Sequence, residues 1–211
     1  HALHGMFANE QYPTLSGTAT ARDFVEFPSQ FNEYWASNPK VFANYAKNDK
    51  GELMPQAMVD KIKAAGKFNK GYDMTELSAA ALLDLNWHTE LAGATPKDAD
   101  QFEITALKKE KIDLAEVPSR YRTSYFEHIW GNGYAAGYYA YPWTQMLADD
   151  GFQWFKEHGG LTRANGDRFR AMILSRGNTE ELAKMYKEWR GKAPSIEPML
   201  ENRGLKEVPQ K

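Results

Sequence analysis

The sequence predicts an all-α protein, mainly helical, with little or no β-sheet. Val and Ile together account for only 11 of the 211 residues, whereas Ala, Leu, Met, Lys and Glu are abundant. This balance favours helices over strands. Apolar residues also recur with the spacing of a helix rather than with strict alternation. No repeat, low-complexity tract or linker divides the chain, so we predict one unit over 1–211 without an internal boundary.

Four segments carry an apolar stripe at helical spacing. The stripes are Met58, Ile62, Ala65 and Phe68; Met74, Leu77, Ala81 and Leu85; Phe169, Met172 and Ile173; and Leu182, Met185, Tyr186 and Trp189. We predict that Asp73 caps the second helix, that Gly177 ends the third in a left-handed conformation, and that Asn178 caps the fourth. Residues 112–118 and 131–133 are predicted loops, because proline or closely spaced glycines interrupt the pattern.

Composition and charge exclude several classes of function. The 26 basic and 28 acidic residues give a formal net charge of -2, which leaves no positive surplus to attract nucleic acid or an anionic membrane. No apolar run approaches the ~20 residues of a membrane span, and no leader pattern is visible. Without cysteine, any metal site must use histidine, carboxylate or carbonyl groups. We expect a cytoplasmic protein, with His88 and His158 as surface or hydrogen-bonded core residues.

His1 and Glu26 are candidate metal ligands. The first five residues already show the apolar spacing of an element under way, so we expect the chain to start inside a helix. After a turn at 16–18, a second helical segment covers 22–30. If the two helices pack antiparallel, His1 and Glu26 face each other and supply two of the three protein ligands of a catalytic zinc site. The alternative is a histidine that caps a helix and a glutamate on the surface.

A histidine, a glycine-rich loop and three tyrosines form a second candidate site. His128 precedes the loop 131–133, and Tyr134, Tyr138 and Tyr141 follow at i, i+4 and i+7, on one face of a predicted helix. Hydroxyl donors beside a histidine are suited to polarising a carbonyl group. The alternative is that the tyrosines simply pack in the core.

Three runs of the sequence resemble the thimet oligopeptidase family of zinc peptidases. They are His-Ala-Leu-His-Gly from residue 1, Ser-Gly-Thr from residue 16, and Arg-Asp-Phe-Val-Glu-Phe-Pro-Ser-Gln from residue 22. Segments 140–147, 174–178 and 190–194 look closest to the bacterial peptidyl-dipeptidase branch. The resemblance covers essentially the whole chain. It implies the carboxy-terminal part of the catalytic domain of a longer, helical, zincin-type metallopeptidase.

The resemblance implies a zinc site at the start of the chain. In the family, a helix with the pattern H-E-x-x-H supplies two histidines, and the glutamate of the Arg-Asp-Phe-Val-Glu run supplies the third ligand. His1 matches the second histidine and Glu26 the third ligand, so the first histidine and the catalytic glutamate would precede residue 1. We therefore expect the isolated chain to be inactive. Asp23, on the same helical face as Glu26, either orients a ligand histidine or is a carboxylate at a helix start. Pro28 is expected to disturb the helix just after Glu26.

The resemblance also implies roles for the second site and a function for the intact protein. His128, Tyr134 and Tyr141 match catalytic positions, and Tyr138 and Tyr141 match positions that contact substrate. The implied function is zinc-dependent release of dipeptides from the free carboxy terminus of short peptides. Internal cleavage of peptides and a non-catalytic, helical peptide-binding module are the alternatives. The expected partners are peptide substrates and the amino-terminal part of the same protein.

Overall fold

A computed structural model describes residues 1–90 and 98–206, and nearly all of their regular structure is helical. The α-helices are α1 (Ala2–Met6), α2 (Arg22–Val25), α3 (Phe27–Ala36), α4 (Pro39–Tyr45), α5 (Gln56–Ala65), α6 (Lys70–Glu90), α7 (Ala99–Lys109), α8 (Glu127–Trp130), α9 (Ala140–Glu157), α10 (Arg163–Phe169), α11 (Leu182–Arg190) and α12 (Glu197–Arg203). A π-helical segment, Arg170–Leu174, follows α10, and 3₁₀ turns cover Pro13–Leu15 and Thr123–Tyr125. In the described ranges, extended pairing is limited to one bridge between Lys47 and Leu53. The predicted helical class is confirmed.

The four predicted helices exist, but two of the predicted caps are wrong. Asp73 lies inside the first turn of α6, because that helix already begins at Lys70. α11 is capped by Glu181, whose carboxylate accepts from the backbone N–H groups of the next turn, and not by Asn178. The Asn178 N–H instead donates to the carbonyl of Leu15 at 2.8 Å, a contact that no local pattern could reveal. This distant contact keeps Asn178 in a turn.

The third predicted stripe ends differently from the prediction. The π-helical segment ends at Leu174, three residues before Gly177, so Gly177 does not cap the helix directly. It does adopt the predicted left-handed conformation, with φ +49°. A Cβ at Gly177 would lie 2.0 Å from the carbonyl oxygen of Leu15, so the close approach of the two backbones also requires glycine.

The first predicted stripe forms a helix but does not enter a core. α5 ends at Ala65, before Phe68, and it buries none of its residues. Met58 and Ile62 are each 53% exposed. The pattern correctly predicted an apolar helix face, but a pattern alone does not say what covers that face. Among the described residues, no helix is both long enough and apolar enough to span a membrane. Residues 112–118 and 131–133 are loops, as predicted.

Two compact units are formed by the described residues. One contains 1–68 and the chain from 144 onward, and the other contains 69–143. Because one catalytic domain can contain two compact units, the assignment of 1–211 to part of one domain stays a prediction.

Aromatic rings fill the core of the first unit. The Phe27 ring is fully buried and makes edge contacts with Phe169 at 5.8 Å between centroids and with Tyr186 at 5.4 Å. Trp189, also fully buried, packs on Phe169 at 5.2 Å. Edge-to-face pairs of this kind add about 0.5–1.5 kcal/mol each to the gain from burial. The start of α3 is therefore fixed firmly to the helices that follow residue 144.

A buried ion pair joins α9 to α11 in the same unit. The guanidinium of Arg190 donates to both carboxylate oxygens of Asp150 at 3.1 Å, and the two side chains are only 3% and 1% exposed. Arg190 also donates to Glu157 at 3.0 Å, and the Tyr186 hydroxyl donates to Asp150 at 2.8 Å. Burial raises the pKa of the Tyr186 phenol, and the nearby Asp150 carboxylate raises it further. This bidentate network orients α11 against α9.

The second unit is built around α6. Its buried residues Ala80 and Ala81 belong to one apolar cluster with Phe126 and Tyr138, and Leu83 packs in another cluster with Phe102 of α7. Small side chains on α6 allow both sets of aromatic rings to approach the helix closely.

Candidate functional site

Glu26 lies at a break between two helices. α2 ends at Val25 and α3 begins at Phe27, with Pro28 in the first turn of α3. Proline has no backbone N–H, and its ring clashes with the carbonyl four residues earlier, so one continuous helix cannot run through this segment. The predicted disturbance at Pro28 is therefore confirmed, and Glu26 is the residue that joins the two helices.

The structure brings His1 and Glu26 together. The Nε2 atom of His1 is 3.0 Å from Oε2 of Glu26, and the glutamate side chain is 8% exposed. The alternative of a surface glutamate is therefore wrong. His1 occupies the N-cap position of α1, but its side chain makes no capping hydrogen bond, so the capping alternative is also wrong.

Ser29 adds a second contact to the Glu26 carboxylate. Its hydroxyl lies 3.1 Å from Oε2 and 2.9 Å from the backbone oxygen of Glu26. The hydroxyl has one proton, which the two oxygens share, and the backbone oxygen also accepts from the N–H of Gln30 at 3.0 Å. A charged acceptor binds a donor more strongly than a neutral one. Ser29 therefore helps to fix the rotamer of Glu26, a contact that the sequence analysis did not identify.

His1 and Glu26 are a histidine and a carboxylate, two side-chain types that could hold a metal ion. Zinc bound at its usual distances in a tetrahedron holds nitrogen and oxygen donors about 3.3 Å apart. The observed separation of 3.0 Å is shorter and is that of a direct hydrogen bond between the two side chains, so a bound metal ion would require them to move apart slightly. In the described parts of the chain, no group of three or more His, Cys, Asp or Glu side chains is placed to hold a metal ion. The pair thus offers two of the three protein donors that a catalytic zinc site uses.

Two further residues lie near this pair in sequence. Asp23 is in the first turn of α2, where the helix dipole favours a carboxylate. Its role in orienting a ligand histidine stays a prediction. His4, which the sequence analysis did not single out, is fully buried in α1. Burial is the main influence on the His4 imidazole and lowers its pKa, while Glu10 acts in the opposite direction. A neutral imidazole at this position follows.

The second candidate site is a cluster of rings in the unit 69–143. The imidazole of His128 lies 5.8 Å from the ring of Tyr134, 5.4 Å from Tyr138 and 5.9 Å from Tyr141, measured between centroids. The rings of Tyr134 and Tyr141 stack at 5.2 Å. All four residues that the sequence analysis singled out here therefore lie together in one cluster, which we call the His128 cluster.

The predicted arrangement of the three tyrosines on one helix is wrong. α9 begins at Ala140, so only Tyr141 is helical, and Tyr134 and Tyr138 lie in successive turns. Ala136, between them, has φ +52°, a conformation that ends a right-handed helix. Alanine is rarely found in this conformation, so nothing in the sequence predicted the turn. The turns nevertheless place the rings against one another, as the helix would have done.

The tyrosines of the His128 cluster differ in what surrounds their hydroxyl groups. Tyr138 is 3% exposed, and burial, together with the neighbouring Tyr121 phenol, raises the pKa of its hydroxyl. The nearby Arg120 lowers that pKa in part. Tyr138 therefore has partners for its hydroxyl inside this unit, which favours a packing role. Tyr141 is half-buried at the start of α9.

Replacing Gly133 by alanine is expected to destabilise the protein by roughly 1–2 kcal/mol, which is the cost of a side chain in the left-handed region. Gly133 has φ +75°, and its position between His128 and Tyr134 is fixed by a 3.0 Å hydrogen bond from the Tyr134 N–H to the His128 carbonyl. The measurement is the urea midpoint of the intact protein. Gly71→Ala is the matched control, because Gly71 lies in α6 with open space around it, and alanine should stabilise that helix. A Gly133→Ala midpoint equal to that of wild type would contradict the expected strain.

Comparison with known proteins identifies the class. The family model described as Peptidase family M3 matches residues 1–205. The chain therefore belongs to peptidase family M3.

Individual relatives narrow the similarity further. The chain is 61% identical to a dipeptidyl carboxypeptidase of Escherichia coli strain K12 and 60% identical to the protein of that name in Salmonella typhimurium, in each case over 206 residues. It is 35% identical to oligopeptidase A of Escherichia coli over 209 residues. These alignments cover 97% or 98% of this chain but 30% of each relative. The chain thus spans less than a third of the length of these relatives.

Proposed function

We propose that the intact protein is a zinc metallopeptidase that releases dipeptides from the free carboxy terminus of short peptides. The observation that carries the proposal is the His1–Glu26 pair, with its 3.0 Å separation and buried carboxylate, in a chain of a peptidase family. The greater identity to dipeptidyl carboxypeptidases than to oligopeptidase A supports dipeptide release.

In this proposal, His1 and Glu26 are the ligands that this chain contributes to the zinc site. A bound zinc ion polarises a carbonyl and lowers the pKa of a water molecule toward neutrality. Ser29 holds the Glu26 carboxylate in place through its 3.1 Å contact, which reduces the reorganisation needed on metal binding. Asp23 is proposed as the acceptor that orients a ligand histidine.

The His128 cluster is proposed to act on the carbonyl oxygen of the scissile peptide bond. Tyr134 and Tyr141 donate hydrogen bonds to this oxygen, and His128 is the third donor. Negative charge develops on the oxygen only as the tetrahedral state forms, so these bonds lower the barrier more than they strengthen substrate binding. Tyr138, whose hydroxyl faces Tyr121 and Arg120, supports the other rings and has the smaller share in contacting substrate.

Two alternatives are separated from this function by simple assays. The similarity to oligopeptidase A favours internal cleavage as the second candidate. Peptides with a free carboxy terminus and the same peptides with an amidated terminus distinguish the two: dipeptide release requires the free carboxylate, and internal cleavage does not. A non-catalytic peptide-binding module would hydrolyse neither peptide and would bind both without added metal.

Glu26→Gln is expected to weaken zinc binding more than 10- to 100-fold, which is roughly the loss when a residue that only hydrogen-bonds to a ligand is removed. The loss is larger here because the substitution replaces a charged ligand by a neutral amide. Wild-type activity should disappear on treatment with a chelator and return with zinc, whereas the activity of Glu26→Gln should not return. Zinc affinity is measured by competition with a chromophoric chelator. Glu33→Gln makes the same change at an exposed carboxylate of α3, the helix that follows Glu26, so it is the matched control and should behave like wild type. Chelator-resistant hydrolysis by wild type would reject the metal mechanism.

A further inference from the structure

Asp84 connects α6 to the turns that carry the tyrosines. Its side chain has no exposed surface. Oδ1 accepts from the N–H of Ala136 at 2.9 Å, and Oδ2 accepts from the N–H of Tyr138 at 2.8 Å. Nδ1 of His88, one turn further along α6, lies 2.8 Å from the same Oδ1 and 2.9 Å from the Asp84 carbonyl. Both neighbours of this nitrogen are acceptors, so it carries the ring hydrogen and donates to the carboxylate.

The buried carboxylate of Asp84 lies at a position where an apolar side chain would be expected. It interrupts the apolar run 79–85 of α6, and burying a charge is strongly unfavourable unless hydrogen-bond donors surround it. An apolar residue there would avoid that cost. The donors that Asp84 gains are two backbone groups of a single turn, on either side of Gly137. One of them belongs to Ala136, whose φ of +52° is strained for a residue with a side chain.

We propose that Asp84 is a positioning residue for the peptidase reaction, held in orientation by His88. Its hydrogen bonds to the N–H groups of Ala136 and Tyr138 hold the turn. They keep the backbone between Tyr134 and Tyr141 in the conformation in which both rings lie against His128. Asp84 acts through this turn and not on the substrate itself. The inference deepens the proposed function and rests on it, because a fixed turn affects the reaction only if Tyr134 and Tyr141 donate to the substrate as proposed.

A matched carboxylate in the same unit separates positioning from simple stabilisation. Glu103 of α7 is 3% exposed, accepts from the N–H and hydroxyl of Thr123 at 3.0 and 3.1 Å, and pairs with Arg122. It is thus buried and hydrogen-bonded much like Asp84. The carboxylate oxygens of Glu103 bind Thr123 and Arg122, and none of these contacts involves the turns at 134–139.

The experiment compares Asp84→Asn and Glu103→Gln in the intact protein. An amide keeps one acceptor but turns an NH₂ group toward a backbone donor, so one of the two bonds to the turn is lost. We expect Asp84→Asn to lower kcat about 100-fold, the loss that follows a displacement of about 1 Å in a catalytic group, with little change in KM. Glu103→Gln should lower the urea midpoint while leaving kcat close to wild type.

Two further measurements complete the test. Adding Ala136→Gly to Asp84→Asn should restore part of kcat, because glycine adopts the left-handed conformation without strain. Hydrogen exchange of the amides at 134–139 should accelerate in Asp84→Asn and not in Glu103→Gln. If Asp84→Asn does not fold, His88→Ala replaces it, with a smaller loss of kcat expected.

The possible results separate the two claims. Unchanged exchange at 134–139, or wild-type kcat in both Asp84→Asn and His88→Ala, would overturn the positioning role. Equal losses of kcat in Asp84→Asn and Glu103→Gln would also overturn it, since the effect would then follow stability alone. Failure of the proposed function would show differently, as absent or chelator-resistant hydrolysis by wild type, whatever the exchange data show.

Discussion

Tyr134→Phe in the intact protein is expected to lower kcat by about 100- to 1000-fold while KM stays close to the wild-type value, the usual loss for one oxyanion donor. The substitution removes a hydroxyl and keeps the ring, so the stacking of Tyr134 on Tyr141 at 5.2 Å should persist. The measurement is steady-state hydrolysis of a short peptide with a free carboxy terminus.

Tyr125→Phe is the control for this experiment. Tyr125 belongs to the same unit and is 59% exposed, and its ring lies 6.5 Å from that of Tyr121, outside the His128 cluster. It should retain wild-type kinetics. A Tyr134→Phe protein with wild-type kcat and a raised KM would instead assign Tyr134 to substrate binding and reject its role in the transition state.

Arg190→Ala is expected to destabilise the protein by about 3–5 kcal/mol, since it leaves the buried Asp150 carboxylate without its charged partner. The Asp150 side chain is 1% exposed, so water cannot replace the two lost hydrogen bonds easily. The measurement is the shift of the urea midpoint in the transition that reports on the unit containing α9 and α11.

The matched control for this pair is Arg163→Ala. Arg163 also pairs with a carboxylate at 3.0 Å, that of Asp167, but its side chain is 86% exposed. Exposed pairs contribute little, so the midpoint should hardly move. Similar shifts for the two arginine variants would mean that the buried pair contributes no more than a surface pair does.

Local patterns predicted the helices well and their ends less well. Composition and apolar spacing were sufficient for the helical class, because both depend on residues close in sequence. The cap predicted at Asn178 was wrong because its N–H bonds to Leu15, which is distant along the chain. Asp73 was misplaced because α6 begins three residues earlier, at Lys70.

The sequence predicted which residues the candidate sites contain, but not the backbone structure that brings them together. The pairing of His1 with Glu26 followed from helix spacing and from the family resemblance, and the structure brings the two side chains together. The tyrosines were assigned to a helix because their spacing fits one. Ala136 prevents that helix by adopting a left-handed conformation, which an alanine in the sequence does not predict. Asp84 was missed, although an acidic residue inside an apolar helix run was a visible sign that something binds it.

The break at Glu26 has a consequence for anyone who engineers this protein. One peptide bond separates Glu26 from Phe27, whose ring is locked among Phe169, Tyr186 and Trp189. A core substitution that moves the backbone at Phe27 also moves Glu26, because the two residues share a peptide bond. Substitutions chosen to raise the melting temperature through this core would therefore also alter the aim of the candidate metal ligand. Libraries built on these aromatic positions should be ranked by metal affinity as well as by heat resistance.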